Sequence, residues 1–278
     1  MTTTQLASLL DIEGKREWIE KTLSSCIPEI KDHHLFAAAR YSLLNPGKRL
    51  RPLLILLTAE SFGADPELAI YPACAMEMVH TYSLIHDDLP CMDNDDLRRG
   101  RPTLHKVYPE GHAVLTGDFL LTYAFEVLCQ SPSLSAEQRL DLVRSLSLAS
   151  GEKGMVGGQV FDIAWCKAEY QPTWPELAEM QIKKTAALFA CALEMGAIIA
   201  NAPTTDRKHL LTIGREIGLA FQLADDLADG DGITLLFGVE ETKRHIEDLL
   251  NSAERLIESL SRPVPALIAF FHNLLTRN

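Results

Sequence analysis

Residues 69–93 read AIYPACAMEMVHTYSLIHDDLPCMD, and this stretch decides the fold. Its apolar residues (Ile70, Ala73, Cys74, Met76, Val79, Tyr82, Ile85) recur at three- and four-residue spacing, the period of a helix buried on a broad face. The helix runs into Asp87 and Asp88, and Pro90 breaks it before Asp93. Without that break Asp87 and Asp93 would sit about 240° apart around a regular helix. With it, the two carboxylates can converge.

A looser copy, Asp225-Asp226-Leu227-Ala228-Asp229, ends a second apolar segment. Asp225 and Asp229 are i and i+4 and so share one helical face, with Asp226 near the same edge. Desolvated carboxylates repel one another, and a bound cation is the usual reason to assemble them. Hard carboxylate oxygens suit Mg²⁺, which keeps several waters and bridges to substrate phosphates. Two such clusters facing each other would grip one polyphosphate. Read alone, each cluster also fits an exposed acidic loop or helix end.

Outward from these stretches the pattern stays helical. Comparable periodicity covers Lys31–Leu44, Pro52–Phe62, Ala113–Leu128, Ala136–Ser150, Glu176–Ala200, Arg207–Asp229 and Glu240–Leu260. Turn signals separate the segments at Asn45-Pro46-Gly47, Gly63-Ala64-Asp65-Pro66, Ser131-Pro132-Ser133 and Asn201-Ala202-Pro203. Period-two alternation is absent, and no linker or low-complexity stretch divides the chain. The expectation is an all-α protein, one domain over residues 1–278, built as a helical bundle around a central cavity.

Composition narrows the function. An apolar fraction of 47% supports a large core, and a formal net charge of −12 argues against a nucleic-acid surface. Six cysteines, at 26, 74, 91, 129, 166 and 191, form no CxxC pair, which points to a reducing cytoplasm rather than a zinc ribbon or disulfide framework. The first residues, Met1–Leu6, show no signal-peptide pattern. The longest apolar stretch, Ala186–Ala202, is short and contains Glu194, so a core helix is expected rather than a membrane span.

Against this acidic background the cations gather locally. Gly47-Lys48-Arg49-Leu50-Arg51-Pro52 places three of them just before a helix, with Pro52 suited to its first turn. Arg98-Arg99-Gly100-Arg101 follows the first acids, and guanidinium groups hold phosphate bidentately. His80 lies two helical turns before Asp87, close to the same face. Metal-binding acids with two separate sets of cations imply two anionic groups held close together.

The strings GKRLRP (47–52), MEMVHTYSLIHDDLPCMDNDDLRRGRPT (76–103), GGQ (157–159), KT (184–185) and FQLADDLAD (221–229) resemble those of the trans-isoprenyl diphosphate synthases, the bacterial farnesyl-type members above all. The likeness runs in order from about residue 30 to residue 230. It implies an all-α homodimer with the two aspartate motifs on opposite cavity walls and three Mg²⁺ ions on the allylic diphosphate, Mn²⁺ being a substitute. By position Asp87, Asp93 and Asp225 would be metal ligands. Lys48, Arg51, His80 and Arg99 would hold isopentenyl diphosphate. Arg98, Lys184, Thr185 and Gln222 would face the allylic (dimethylallyl or geranyl) diphosphate or its developing cation. No stable membrane insertion is implied.

The chemistry suits these residue types. Breaking an allylic C–O bond yields a carbocation and diphosphate, whose charge metals and arginines stabilise. The second substrate's double bond attacks the cation, and apolar helices keep water out. Tyr82, about one and a half turns before Asp87, is placed to block a growing chain and so to favour a farnesyl product, ordinary core packing being the alternative.

The chain departs from the family after Asp229. A loop carrying further lysines is expected there, but Gly230-Asp231-Gly232-Ile233-Thr234 leads almost directly into the next helical pattern. One diphosphate ligand of the family therefore has no counterpart. An inactive or regulatory synthase-like subunit, or a synthase of geranyl or geranylgeranyl diphosphate, stays open as an alternative. A terpene cyclase would not need GKRLRP and His80, and a phosphohydrolase explains neither the second acid cluster nor the paired basic sites.

Overall fold

A computed structural model describes residues 11–30, 32–168 and 171–276. The reading of the first residues as lacking a signal peptide falls outside them, as does the Cys166 side chain. The helices are α1 (Ile12–Cys26), α2 (His34–Leu43), α3 (Leu50–Ser61) and α4 (Ile70–Asp87), then α5 (Leu104–Val107), α6 (Glu110–Gln130), α7 (Ala136–Ser150) and α8 (Met155–Ala168). Next comes α9 (Trp174–Gln181), continued through a π turn (Ile182–Ala186) into α10 (Ala187–Ile199). The chain ends with α11 (Thr204–Asp229), α12 (Gly232–Phe237), α13 (Val239–Glu258) and α14 (Pro265–Thr276). The fold is all-α, and its sheet content among the described residues is one small hairpin, β1 (Leu97–Arg98) with β2 (Arg101–Pro102).

The expected helices form within a few residues of their expected bounds. Those that periodicity did not single out have weak or unusual patterns. In α1 only Ile19 and Leu23 are buried among many charges, α8 carries two glycines, and α14 is apolar almost all round.

The chain packs as two compact units, residues 11–53 with 67–143, and residues 54–66 with 144–276. In the amino-terminal unit α4 lies along α6 and also touches α1 and α2. Twelve residues of α4 are buried, among them Met76, Met78, Val79 and Tyr82, so the helix carrying the first acids is a core helix. By length and composition α6 would cross a membrane, but it turns Ala113, Thr116, Gly117, Leu120, Ala124, Val127 and Leu128 into the protein instead.

In the carboxy-terminal unit the central element is α10, buried along nearly its whole length and packed on α11. Close approach depends on Gly214 and Gly218, one turn apart on α11. A Cβ at Gly214 would lie 2.4 Å from the Cα of Ala190, and one at Gly218 would lie 2.7 Å from the Cα of Ala186. The next residues on that face are Gln222 and Asp226, so the glycine seam also aims the second motif. A smaller cluster of Leu177, Met180, Leu219, Leu223 and Ile233 anchors α12 to α9 and α11. Each such side chain contributes roughly 1.5–3 kcal/mol relative to exposure.

Candidate active site

In the amino-terminal unit the first acids sit where α4 stops. The helix ends at Asp87, and the chain turns back so that the N–H of Asp93 donates to the carbonyl oxygen of Asp87 at 2.9 Å. Asn94 takes a positive φ of 55°, tolerable for asparagine, and donates to the Leu89 carbonyl. The turn leaves Asp93 exposed and Asp87 half-buried. Asp88 has another task. It is 3% exposed and accepts from Arg98 Nε at 3.0 Å and from Arg98 Nη2 at 2.5 Å, while burial pushes its carboxyl up. Arg98 also reaches Asp95 at 2.8 Å, so it pins the hairpin to the end of α4.

Arg98 pairs with Arg101 across the hairpin, and Arg99 and Gly100 form its two-residue turn with φ of 55° and 75°. Two positive φ values are the signature of a type I′ turn. The strain at Arg99 costs about 1–3 kcal/mol and aims its side chain. Its guanidinium reaches the Pro46 carbonyl at 3.3 Å and lies where a Cβ on Gly47 would stand, 2.2 Å from Nη1. Gly47 is thus a matter of space.

The three cations after Gly47 divide their labour. Arg49, at φ 49° and 3% exposed, turns inward to Glu20 at 2.7 Å, to Glu77 at 2.5 Å, and to the carbonyls of Leu43 and Asn45, both at 2.9 Å. It is a structural arginine. Lys48 stays exposed, and Arg51 points to His80, with Arg51 Nη1 3.4 Å from His80 Nε2. A guanidinium only donates, so this contact needs a neutral imidazole with its proton on Nδ1. Burial, then the charges of Arg51, Arg99, Arg49 and Arg98, hold His80 well below its usual range. Burial, opposed by Glu77, likewise pushes Arg51 down to about 10. Positive charges crowded around a neutral histidine make an anion site.

Tyr82 is buried, and its ring meets His86 edge-on with centroids 5.8 Å apart. Burial and Asp87 push its phenol up to about 12. His86 lies against α6, with Nε2 3.0 Å from the Val114 carbonyl and filling the space that a side chain on Gly117 would take.

In the carboxy-terminal unit the π turn carries Lys184 and Thr185. A Cβ at Gly158 would stand 2.3 Å from the backbone N of Lys184, so Gly158 is what lets this turn approach α8. Single π turns of this kind recur at functional sites. Lys184 Nζ meets Asp162 at 2.5 Å, and Asp162 sits one helical turn beyond Gly158. The amide nitrogen of Gln159 is buried with no hydrogen-bond partner, an orphan donor in the same segment. The Thr185 hydroxyl lies 3.2 Å from Gln222 Oε1. Asp225 is half-buried, Asp226 is 6% exposed, and Asp229 is exposed.

Of the residues that sequence reasoning grouped as Lys48, Arg51, His80 and Arg99, the fold brings Arg51, His80 and Arg99 together and leaves Lys48 exposed, and it sets Thr185 beside Gln222. Sequence reasoning missed Glu20, Glu77, His86 and Asp162, whose partners are distant in the chain and leave no local signal. Among the described residues, no three His, Cys, Asp or Glu side chains stand close enough to cage a metal by themselves. Asp87 and Asp93 present hard carboxylate oxygens from one closed turn, the donor type that Mg²⁺ takes one or two at a time together with substrate phosphates.

The polyprenyl synthetase family matches residues 32–246. A farnesyl diphosphate synthase of Bacillus subtilis is 41% identical over 93% of this chain and 94% of its own length. Geranylgeranyl pyrophosphate synthase 7 of Arabidopsis thaliana is 38% identical over 91% of this chain and 80% of its own. An FPP/GFPP synthase from Zymomonas mobilis superposes with a TM-score of 0.90 at 37% identity, covering 99% of both chains. The chain belongs to the polyprenyl synthetase family of prenyltransferases.

Proposed function

We propose that this protein condenses isopentenyl diphosphate with dimethylallyl and then geranyl diphosphate to give farnesyl diphosphate. The observation that carries the reading is in the amino-terminal unit. His80, neutral and ringed by arginines from other segments, and Asp87, which opens the carboxylate turn closed at Asp93, lie on the same helix, α4, two turns apart. The turn calls for cations and the arginines for an anion, as two diphosphate-bearing substrates require.

Lys48, Arg51 and Arg99 bind isopentenyl diphosphate, and His80 shapes that pocket. Asp87, Asp93 and Asp225 hold Mg²⁺, three ions in all, with Mn²⁺ as a substitute. When bound, Mg²⁺ supplies positive charge against the departing diphosphate. Lys184 and Arg98 face the allylic diphosphate, while Thr185 and Gln222 offer oxygens to the developing allylic cation. Tyr82 closes the tail's path at the farnesyl length. The enzyme works as a homodimer in the cytoplasm and binds neither nucleic acid nor bilayer. The exposed apolar residues Val114 and Leu115 on α6 support a subunit contact.

Purified protein incubated with Mg²⁺, isopentenyl diphosphate and dimethylallyl or geranyl diphosphate should yield farnesyl diphosphate. Absence of any chain-extended product refutes the activity. A geranylgeranyl product, in keeping with the similarity to geranylgeranyl synthases, corrects only the length.

A further inference from the structure

Asp226 is the odd member of the second acid cluster. Its flanking acids reach solvent, whereas Asp226 is 6% exposed and both its oxygens already face N–H donors. Gln222 Nε2 donates to Oδ1 at 2.8 Å, and the backbone N–H of Ile233 donates to Oδ2 at 2.9 Å. The second contact exists because the connection after Asp229 is so short. Gly232, at φ 48°, brings the backbone of α12 so near that a Cβ there would lie 2.5 Å from Asp226 Oδ2.

A carboxylate used in this way fixes something that Gln222 cannot fix alone. The two ends of a side-chain amide are alike in size, and hydrogen bonding decides which way it points. A carboxylate accepting at both oxygens draws the NH₂ end of Gln222 to itself. The carbonyl oxygen must then face Thr185, whose hydroxyl lies 3.2 Å from it. We propose that Asp226 is a positioning residue rather than a metal ligand, orienting Gln222 so that an oxygen, not an NH₂, is presented beside Thr185. This rests on the proposed reaction, in which an allylic cation develops there and an NH₂ dipole would repel it.

The test is a cycle of Asp226→Asn, Gln222→Glu and the double variant. In Asp226→Asn the new amide gives its oxygen to the Ile233 N–H and its NH₂ to Gln222, which must turn over. The expected result is a loss in kcat of about 100-fold, the scale of removing one oriented dipole from a reacting centre. The KM values for both diphosphates should change by less than about threefold, as should calorimetric affinity for inorganic diphosphate with Mg²⁺. The double variant puts the carboxylate at 222 and the amide at 226, which restores an oxygen beside Thr185 and should recover at least about tenfold of the loss.

An Asp226→Asn enzyme within about threefold of wild type, or a double variant no faster than Asp226→Asn, overturns the proposal. So does a loss of Mg²⁺–diphosphate affinity beyond about tenfold, which would make Asp226 a ligand. Orientation is also read without turnover. The Gln222 NH₂ protons should show nuclear Overhauser contacts to the Thr185 methyl in Asp226→Asn and none in wild type. If wild type shows that contact, the proposal falls whatever the activity. If wild type joins no substrates yet shows the expected pattern, only the proposed function falls.

Discussion

The backbone N–H of Asp93 donates to the carbonyl oxygen of Asp87 across 2.9 Å. This single bond converts a helix end into a closed turn, so that two acids which a continuous helix would point apart arise from one place. The bond belongs to the backbone and uses neither carboxylate oxygen.

Replacing Asp87 or Asp93 by alanine should therefore cut turnover while leaving the fold nearly intact. Losing a carboxylate that holds a catalytic metal removes several kcal/mol of leaving-group stabilisation, or about 10²–10⁴ in rate. Melting temperature should move little, since Asp93 is exposed and the turn keeps its backbone bond. Steady-state kinetics with a parallel melt separates the two effects, and undiminished turnover in EDTA would dispose of the metal.

Gly47→Ala tests the assignment of Arg99. The new Cβ would stand 2.2 Å from Arg99 Nη1, but that atom is the far end of a flexible side chain, so the arginine moves and the fold survives. A displaced charge-assisted contact costs about 1.5–3 kcal/mol, which predicts a KM for isopentenyl diphosphate raised about 10- to 100-fold. The KM for geranyl diphosphate should change far less. Equal changes in both would mean that Arg99 serves the other substrate.

His80 sets a pH dependence whose sign is determined. Its folded-state pKa is depressed by burial and by the surrounding arginines. On acidification the unfolded chain takes up that proton first, at about pH 6.5. Stability is therefore fully present above that value and is lost as pH falls from it toward the folded pKa, by at most about 1.4 kcal/mol per pH unit. Urea unfolding from pH 7 to pH 5 should show a shallower decline for His80→Gln than for wild type. Bound diphosphate, by neutralising the arginines, should flatten the wild-type curve. A variant as pH-sensitive as wild type would remove His80 from this account.

Tyr82→Ala should lengthen the product if the ring ends the tail's path. Overpacking a rigid core costs about 1–3 kcal/mol, so relieving it shifts the ratio of longer to farnesyl product roughly five- to a hundredfold. Chromatography of the dephosphorylated products reads this directly. An unchanged distribution would leave Tyr82 as a packing partner of His86 and nothing more.

Much of this was legible in the chain because the physics was local. Three- and four-residue periodicity announced α4, α10 and α11, Pro90 announced the break after Asp87, and GKRLRP announced cations before a helix. The two-residue strands around Arg99-Gly100 were not legible, being too short for any alternation to show.

Sequence by itself determined the strongly periodic helical segments, where they stop and which residue types gather at the stops, since those depend on neighbours a few positions away; α1, α8 and α14 needed the tertiary structure. Tertiary structure alone decided how similar residues differ in role. Arg49 and Arg51 stand in the same basic run, yet Arg49 is consumed by Glu20 and Glu77 while Arg51 turns to His80. Asp225 and Asp226 are adjacent, yet only Asp226 is closed off by Gln222 and Ile233. The physical reason is common to both. A charged side chain's role is set by the donors, acceptors and desolvation around it, and the fold brings those from positions that local pattern does not link.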